Sequence, residues 1–528
     1  MFFGARATTK SMYLMRNLKD TSLEWALKHV RKFYDSDFYP RLFEFDAIQH
    51  NWIKVKEELL KIDLDNYAPQ TPFICLAPKK NDTFRVVHQL DPVDTLIYTA
   101  LLHEFAEKIE TYRIPNDKNI ACSYRISPDI HGSFFGADLD GYTRFKSRSL
   151  GLAKENSSGF VLVCDITDFY NQIYLHRVTN VLEEAGITSP KVLEDFLSGL
   201  NTNISRGVPV GPAPSILVAE AIMGDVDKKI MSHTSRFTRY VDDMHIFFDS
   251  IEQAKFFLHE LTKYLYSNHR LVLSSDKTFI VDSPKFIETY FEDEEKIEQK
   301  AIHEKLAESA DHDFYYYTEP EIPDFEDLES PEKFTIRSEA YNEVFQRALE
   351  FDVIDLGIMR HLLRKAGKYK VRSLLPLIFE NFRTILPIIR ELVVYFERVL
   401  NEKSVKKYQA EFQEILDDEY VQLPFVNIWI YTLLQNPVFN FIELKIDYSR
   451  ILRVREQALI ALRLNDRTWI KDHKDGLDVL GPWDKRAILH SAVILSSDEL
   501  KHWAGLVSSR GNILDKAVAA YVIAEKKK

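Results

Sequence analysis

The stretch RYVDDMHIFF, residues 239–248, constrains the fold most tightly. It places two adjacent carboxylates, Asp242 and Asp243, between an apolar approach and an apolar exit. That pattern predicts a hairpin of two β-strands, with the aspartates at the turn and the apolar residues buried. Two like charges side by side are unfavourable unless water or a cation compensates them. A metal site for phosphoryl transfer satisfies that requirement, and so does an ordinary solvated turn.

Residues 159–165, GFVLVCD, read as a continuous apolar strand ending in Asp165, the pattern of a central strand. A carboxylate there either projects into a cleft and holds a metal or caps the next helix, a role open to Asp168 as well. Tyr170 either stacks beneath a sugar or packs in the core. Residues 73–87 read as strand, turn and strand, with Lys79, Lys80 and Arg85 around the turn. Clustered cations suit a triphosphate, and they also suit a solvated basic turn. The loop RGVPVGPAPS, residues 206–215, contains Gly211 and feeds a helix predicted over 215–231. It either positions a nucleotide and a template base or serves as a structural elbow. Lys277 follows on a short loop or strand, reaching pyrophosphate or pairing at the surface.

Taken in order, these segments resemble the reverse-transcriptase family of polymerases. FRVV at 84–87 resembles the basic fingers segment, and DITDFY at 165–170 the first catalytic motif. GVPVGP at 207–212 resembles the template and nucleotide loop, YVDD at 240–243 the catalytic hairpin, and SDKT at 275–278 the motif that follows it. The resemblance implies an α+β fold with right-hand polymerase fingers and palm around a carboxylate-bearing β-sheet. It implies nucleotidyl transfer by two metal ions, with Asp165, Asp242 and Asp243 as catalytic and metal-holding residues. Lys79, Lys80, Arg85, Tyr170, Gly211 and Lys277 are the implied nucleotide contacts, with Tyr170 crowding a 2'-hydroxyl. Mg²⁺ is the expected ion because the ligands are hard oxygens, with Mn²⁺ as the alternative.

Two departures stand out. Val210 sits where many relatives carry Gln, and no thumb is recognisable after Ile280. The layout is similar to the abortive-infection (Abi) branch of bacterial antiphage reverse transcriptases, which joins a polymerase domain to stacked helices. That branch implies single-stranded DNA made from dNTPs without a template, a covalent link between that DNA and a protein tyrosine, and a homo-oligomer. Tyr13, Tyr34, Tyr39 and Tyr315 are among the 25 tyrosines, and the sequence does not choose between them. The rival readings are a conventional RNA-templated DNA polymerase and a degenerate polymerase core that binds nucleic acid.

The chain's 528 residues exceed what one core needs. The expected division is a helical N-terminal extension over 1–71, fingers and palm over 72–290, an acidic connector over 291–337 and an all-α, HEAT-like domain over 338–528. The net charge of −12 argues at first against nucleic acid, but 16 acidic and only 3 basic residues lie between Glu292 and Glu332. The acid is therefore local, and a positive groove elsewhere remains compatible with the composition. The acidic stretch reads as a linker, with a groove-filling nucleic-acid mimic as the alternative. Lys365, Lys368, Lys370, Arg372 and Arg383 form one basic region, and Arg450, Arg453, Arg455, Arg463 and Arg467 another. Each either lines a route for DNA phosphates or is a solvated helix face. Cys75, Cys122 and Cys164 have no metal-ligand spacing and give no disulfide framework, which points to a reducing, cytoplasmic compartment. No signal peptide is read at the start, and no run approaches a membrane span.

Overall fold

The computed structural model describes residues 16–33, 35–36, 38–79, 83–136, 141–292, 331–350, 354–474, 476 and 480–527. The N-terminal helices are α1 (Asp20–Phe33), α2 (Glu44–His50) and α3 (Trp52–Leu59). A two-stranded hairpin, β1 (Phe73–Pro78) and β2 (Phe84–Gln89), leads into α4 (Pro92–Tyr112) and then α5 (Gly141–Glu155). There follow β3 (Phe160–Cys164), a one-turn α6 (Phe169–Gln172), α7 (Leu175–Glu184), α8 (Lys191–Leu200) and α9 (Ala213–Met231). The hairpin β4 (Phe237–Tyr240) and β5 (Asp243–Phe248), α10 (Ile251–Tyr264), β6 (Phe279–Asp282) and α11 (Ser283–Ile287) come next.

The four-stranded sheet has the order β4-β5-β3-β6, with every pairing antiparallel. The apolar run of β3 is central, as its pattern requires. Its alternate side chains face two different layers. Leu162 and Cys164 join Met244, Ile246 and Phe248 in the main core, beneath α9 and α10. Val161 and Val163 join Phe247, Leu152 and Phe286 in a smaller core against α5 and α11. Burying either face stabilises by roughly 1.5–3 kcal/mol per large apolar side chain. Helix α4 starts cleanly because the Asp91 side chain accepts from the Val93 backbone N–H and Pro92 occupies the first turn.

The sequence predicts one helix over 47–61, but the structure breaks it into α2 and α3. Asn51 leaves helical geometry (φ −110°, ψ 22°). Its amide Nδ2 donates to Ala47 O and, at 2.9 Å, to Ala517 O at the far end of the chain. A side chain that bonds backbone carbonyls competes with the helix ladder.

The second half is a large helical region. It comprises α12 (Pro331–Glu350), α13 (Leu356–Lys368), α14 (Leu375–Glu380), α15 (Ile389–Val399), α16 (Glu402–Lys407), α17 (Gln409–Asp417) and α18 (Pro424–Leu433). It continues with α19 (Val454–Arg463), α20 (Arg467–Lys474), α21 (Pro482–Ser491), α22 (Ser497–Arg510) and α23 (Ile513–Glu525). These helices serve two cores. Residues from Tyr341 to Ile451 share a core with Tyr39, Cys75, Ala77 and Val87, so the β1–β2 hairpin packs its inner face on them. Helices α20 to α23 instead join the N-terminal helices and α4 in the main core, and α19 bridges the two, with Ile460 in the first and Ala458 and Ala461 in the second. Charge reinforces the second junction: Arg455 grips Glu44 through two bonds of 2.6 and 2.8 Å, and Arg486 reaches Asp91 at 2.9 Å.

That pairing corrects part of the basic-groove expectation. Arg455 is buried and committed to Glu44, so it cannot face DNA phosphate. Arg372 donates to Val399 O, and Arg383 pairs with Asp418 at 2.8 Å. Residues 293–330 of the acidic stretch, together with Lys80, Tyr13, Tyr34 and Tyr315, lie outside the described residues. The three cysteines are free and buried. Among the described residues, no helix is long and apolar enough to cross a membrane.

Candidate active site

The register of the sheet builds the site. Cys164 pairs with Met244 across the antiparallel β3–β5 ladder, so the next residue, Asp165, meets Asp243 at the same end of the sheet. The side chains of Asp165 and Asp243 lie within hydrogen-bonding reach of each other. Asp242 occupies the turn between β4 and β5, while Asp243 opens β5 rather than sitting in the turn. The alternative capping role of Asp165 is not taken up. Asp168 stands at the head of α6 with φ 47° and makes no side-chain cap to that helix.

The electrostatics follow from this crowding. Burial is the largest cause that pushes the Asp242 carboxyl up to about 7, and repulsion from Asp165 and Asp243 adds to it. Burial and then Asp165 push Asp243 up to about 6, opposed by Lys277. The Asp243 side chain reaches solvent, so repulsion by its neighbour is the firmer of those two causes. Lys277 Nζ lies 3.0 Å from Asp165 Oδ2. Partial burial pulls the Lys277 ammonium down, but its hydrogen bond to Asp165 and the charges of all three aspartates hold it above its ordinary value.

Hard carboxylate oxygens, forced together and compensated by one mostly exposed ammonium, fit a divalent cation such as Mg²⁺. Among the described residues no three Cys, His, Asp or Glu side chains are closed into a ready cation cage. A Mg²⁺ ion held by these carboxylates would therefore need further ligands from water or substrate phosphates.

The basic hairpin converges on the same place. Burial lowers the Lys79 ammonium, as do the charges of Arg85 and Lys277, while Asp165 and Asp168 raise it. Lys79 N–H closes the hairpin end by donating to Thr83 O at 2.8 Å. Arg85 is exposed beside the Phe38 ring. Tyr170 is half-buried against the main core. Burial lifts its phenol well above the usual range, and Tyr124, Glu220 and Asp242 add to the effect. Its hydroxyl therefore stays neutral beside the aspartates. Its backbone carbonyl accepts from Val208 N–H at 2.9 Å, which ties the glycine-proline loop to the first aspartate motif.

Gly211 has a structural reason of its own. Its φ is +127°, and a Cβ there would lie 2.4 Å from Ser36 Oγ. The loop is also stitched to β2: His88 N–H donates to Val210 O at 2.9 Å, and Val210 N–H donates to His88 Nδ1 at 3.1 Å. Val210 packs against the core that holds the helices of the second half.

One group escaped the sequence reading. Arg239, fully buried, bonds Asp227 through Nε and Nη2 at 2.9 and 2.8 Å and Glu220 through Nη2 at 2.9 Å. Its Nη1 donates to Val241 O at 2.7 Å, clamping a turn in which Val241 holds φ 56°. Arg113 meets the same Glu220 at 2.7 Å. Burial alone would raise Glu220, yet Arg113 and Arg239 hold it below its ordinary value. The available signal was three acids, Glu220, Asp225 and Asp227, among the mostly apolar residues of α9.

Residues 77–289 match the family model described as reverse transcriptase (RNA-dependent DNA polymerase). Among solved structures, the chain is similar to telomerase from Candida albicans, in complex with a TWJ fragment of telomeric RNA, at 12% identity and a TM-score of 0.29. That match covers 75% of this chain and 68% of the other. It is similar to apo telomerase from Candida tropicalis at 12% identity and a TM-score of 0.32, covering 74% of each chain. No curated protein matches. The sheet with its carboxylates and the β1–β2 hairpin are thus the palm and fingers of a reverse-transcriptase fold. More particularly, the residues that match the reverse transcriptase model, 77–289, carry Asp165, Asp242 and Asp243 on or beside the four-stranded sheet.

Proposed function

We propose that the protein is a nucleotidyltransferase that makes DNA from dNTPs at Asp165, Asp242 and Asp243. The observation that carries this reading is the convergence of those carboxylates, from two paired strands, with Lys277. In the reaction a hydroxyl oxygen bonds the α-phosphorus of a dNTP, the bond to pyrophosphate breaks, and the hydroxyl proton is released. Asp165 and Asp242, assisted by Asp243, would hold Mg²⁺ or Mn²⁺, which when bound neutralises the triphosphate and activates the hydroxyl. Lys79 and Arg85 pair with phosphate oxygens. Lys277 supplies a cation, or a proton, to the departing pyrophosphate. Tyr170 crowds the sugar's 2' position from its packed seat beside Asp242.

The finer reading is untemplated, protein-primed synthesis in antiphage defence, with single-stranded DNA joined to a tyrosine and the chain in a homo-oligomer. Two observations support a departure from ordinary template handling: Val210 stands in the loop where many relatives carry Gln, and that loop is bonded to β2. Of Tyr13, Tyr34, Tyr39 and Tyr315, Tyr39 is the one within the described residues, and it is buried with its hydroxyl donating to Val87 O at 3.1 Å. Priming from it requires that bond to open. Product analysis after incubation with labelled dNTPs, with and without RNA, tests the reading. Untemplated synthesis with a tyrosyl-deoxynucleotide adduct in mass spectra supports it. A strict need for RNA with complementary product replaces it with templated synthesis.

A further inference from the structure

Helix α5 starts beside the carboxylates and carries a basic outer face away from them. Its inner face is fixed: Phe145, Ser149, Leu152 and Ala153 are buried, and Ser149 Oγ meets His245 Nδ1 at 2.8 Å. Its head is pinned to β4, because a Cβ on Gly141 would strike Cys122 O and touch the Tyr240 ring. The helix holds four cations, Arg144, Lys146, Arg148 and Lys154, against one acid, Glu155. Two of the cations are used within the fold. Arg144 donates to Asn116 Oδ1 at 2.9 Å, and Arg148 donates to the carbonyls of Phe237 and Ser235, each at 3.1 Å. Lys146 and Lys154 are exposed.

Residues 142, 146, 150 and 154 recur at i, i+4 spacing and form one ridge of the helix, about 18 Å long. At its head the Tyr142 ring is 46% exposed, edge-on to Tyr240 at 5.2 Å, with Lys146 Nζ over it at 4.7 Å. Tyr240 pairs with Asp243 across the β4–β5 hairpin, so the ridge begins at the aspartate turn. Tyr290 borders the same place: its ring lies 5.3 Å from His245, and the charges of Asp243 and Tyr142 both act on its phenol. Lys79, with Arg85 and Lys277 around it, lies instead toward Asp165 and Asp168. A strand extended at the aspartates must leave on another side from the triphosphate that those cations suit.

We propose that this ridge binds the single strand of DNA made at the aspartates, with a base stacked on Tyr142 and phosphates paired with Lys146 and Lys154. The proposal rests on the reading of that site as one that makes DNA. An exposed aromatic ring followed by spaced cations holds a single strand without reading its sequence, because every base offers a π-face and every linkage a charge. Lys146 exchanges the ring for a phosphate oxygen when a base arrives.

The test uses the full chain in EDTA, so that no nucleotide is added and no divalent ion bridges DNA to the aspartates. Fluorescein-labelled oligo-dT about twelve nucleotides long is titrated, and anisotropy reads binding. Tyr142→Ala is expected to bind about five- to a hundredfold more weakly, the loss of one stacked base, and Tyr142→Trp as tightly as the wild type. An oligonucleotide without bases should not distinguish Tyr142→Ala from the wild type. Lys146→Ala and Lys154→Ala should each flatten the slope of log affinity against log salt by about 0.7. Oligo-dT should bind at least as tightly as oligo-rU of the same length, and a preference for RNA overturns the assignment to DNA. Absence of binding, binding unchanged in Tyr142→Ala, or salt slopes unchanged in both lysine variants overturns the proposal. Binding through Tyr142 without dNTP incorporation keeps the ridge and removes the catalytic reading, so the two fail separately.

Discussion

Arg239 Nη1 donates a 2.7 Å hydrogen bond to the carbonyl oxygen of Val241, one residue before Asp242. The side chain two residues before the turn therefore fixes the carbonyl inside it, and Glu220 and Asp227 fix that side chain. Arg239→Met leaves the buried Asp227 without its guanidinium and Glu220 with Arg113 alone. It is expected to cost about 3–5 kcal/mol, the range for breaking a buried ion pair. Denaturant unfolding of the variant checks this. The triple variant that also carries Glu220→Gln and Asp227→Asn should recover part of the loss.

Lys277 contacts Asp165 from a mostly exposed position. Lys277→Met should leave stability within about 1 kcal/mol, as exposed pairs do. Loss of a charge-assisted contact to pyrophosphate is worth about 1.5–3 kcal/mol, a fall in the nucleotide incorporation rate of about ten- to a hundredfold. Parallel melting and incorporation assays separate the two effects.

Gly211→Ala places a methyl group at φ +127° and 2.4 Å from Ser36 Oγ. Strained backbone of this kind costs about 1–3 kcal/mol. Ser36→Gly in the same chain removes the collision but not the backbone strain, so the double variant should recover only part of the lost stability.

His490 is stacked on Phe43 at 4.1 Å, and burial holds its imidazole down to about 4 against an ordinary 6.5. The folded state therefore disfavours the protonated ring. The stability linked to this neutral ring is full above the unfolded value and is lost as pH falls toward the folded one. His490→Phe keeps the stack and removes the proton site. It should gain on the wild type by about 2 kcal/mol at pH 5 and by little at pH 7.5. Unfolding midpoints across that interval check the sign.

The elements of the palm were legible because their signals are local. The run from Phe160 to Cys164 was legible as a central strand ending in a carboxylate, while its pairing with the strand that begins at Asp243 was not. The basic hairpin at Lys79 and Arg85 was legible for the same reason. What the sequence hid depends on distant partners. Asn51 breaks a helical pattern because its amide reaches Ala517, and Arg455 left the expected basic groove because Glu44 lies beside it. Arg239 looked like a strand residue before a turn, and its role needed two acids on a different helix.

Incorporation of labelled dNTPs by pure protein, compared between the wild type, Asp165→Asn and Asp242→Asn, tests the central claim most directly. Folding of each variant is verified by its unfolding midpoint. The carboxylate site predicts synthesis by the wild type with Mg²⁺ or Mn²⁺ and a loss of at least about a hundredfold in each folded variant. DNA synthesis undiminished in a folded Asp242→Asn protein would contradict it.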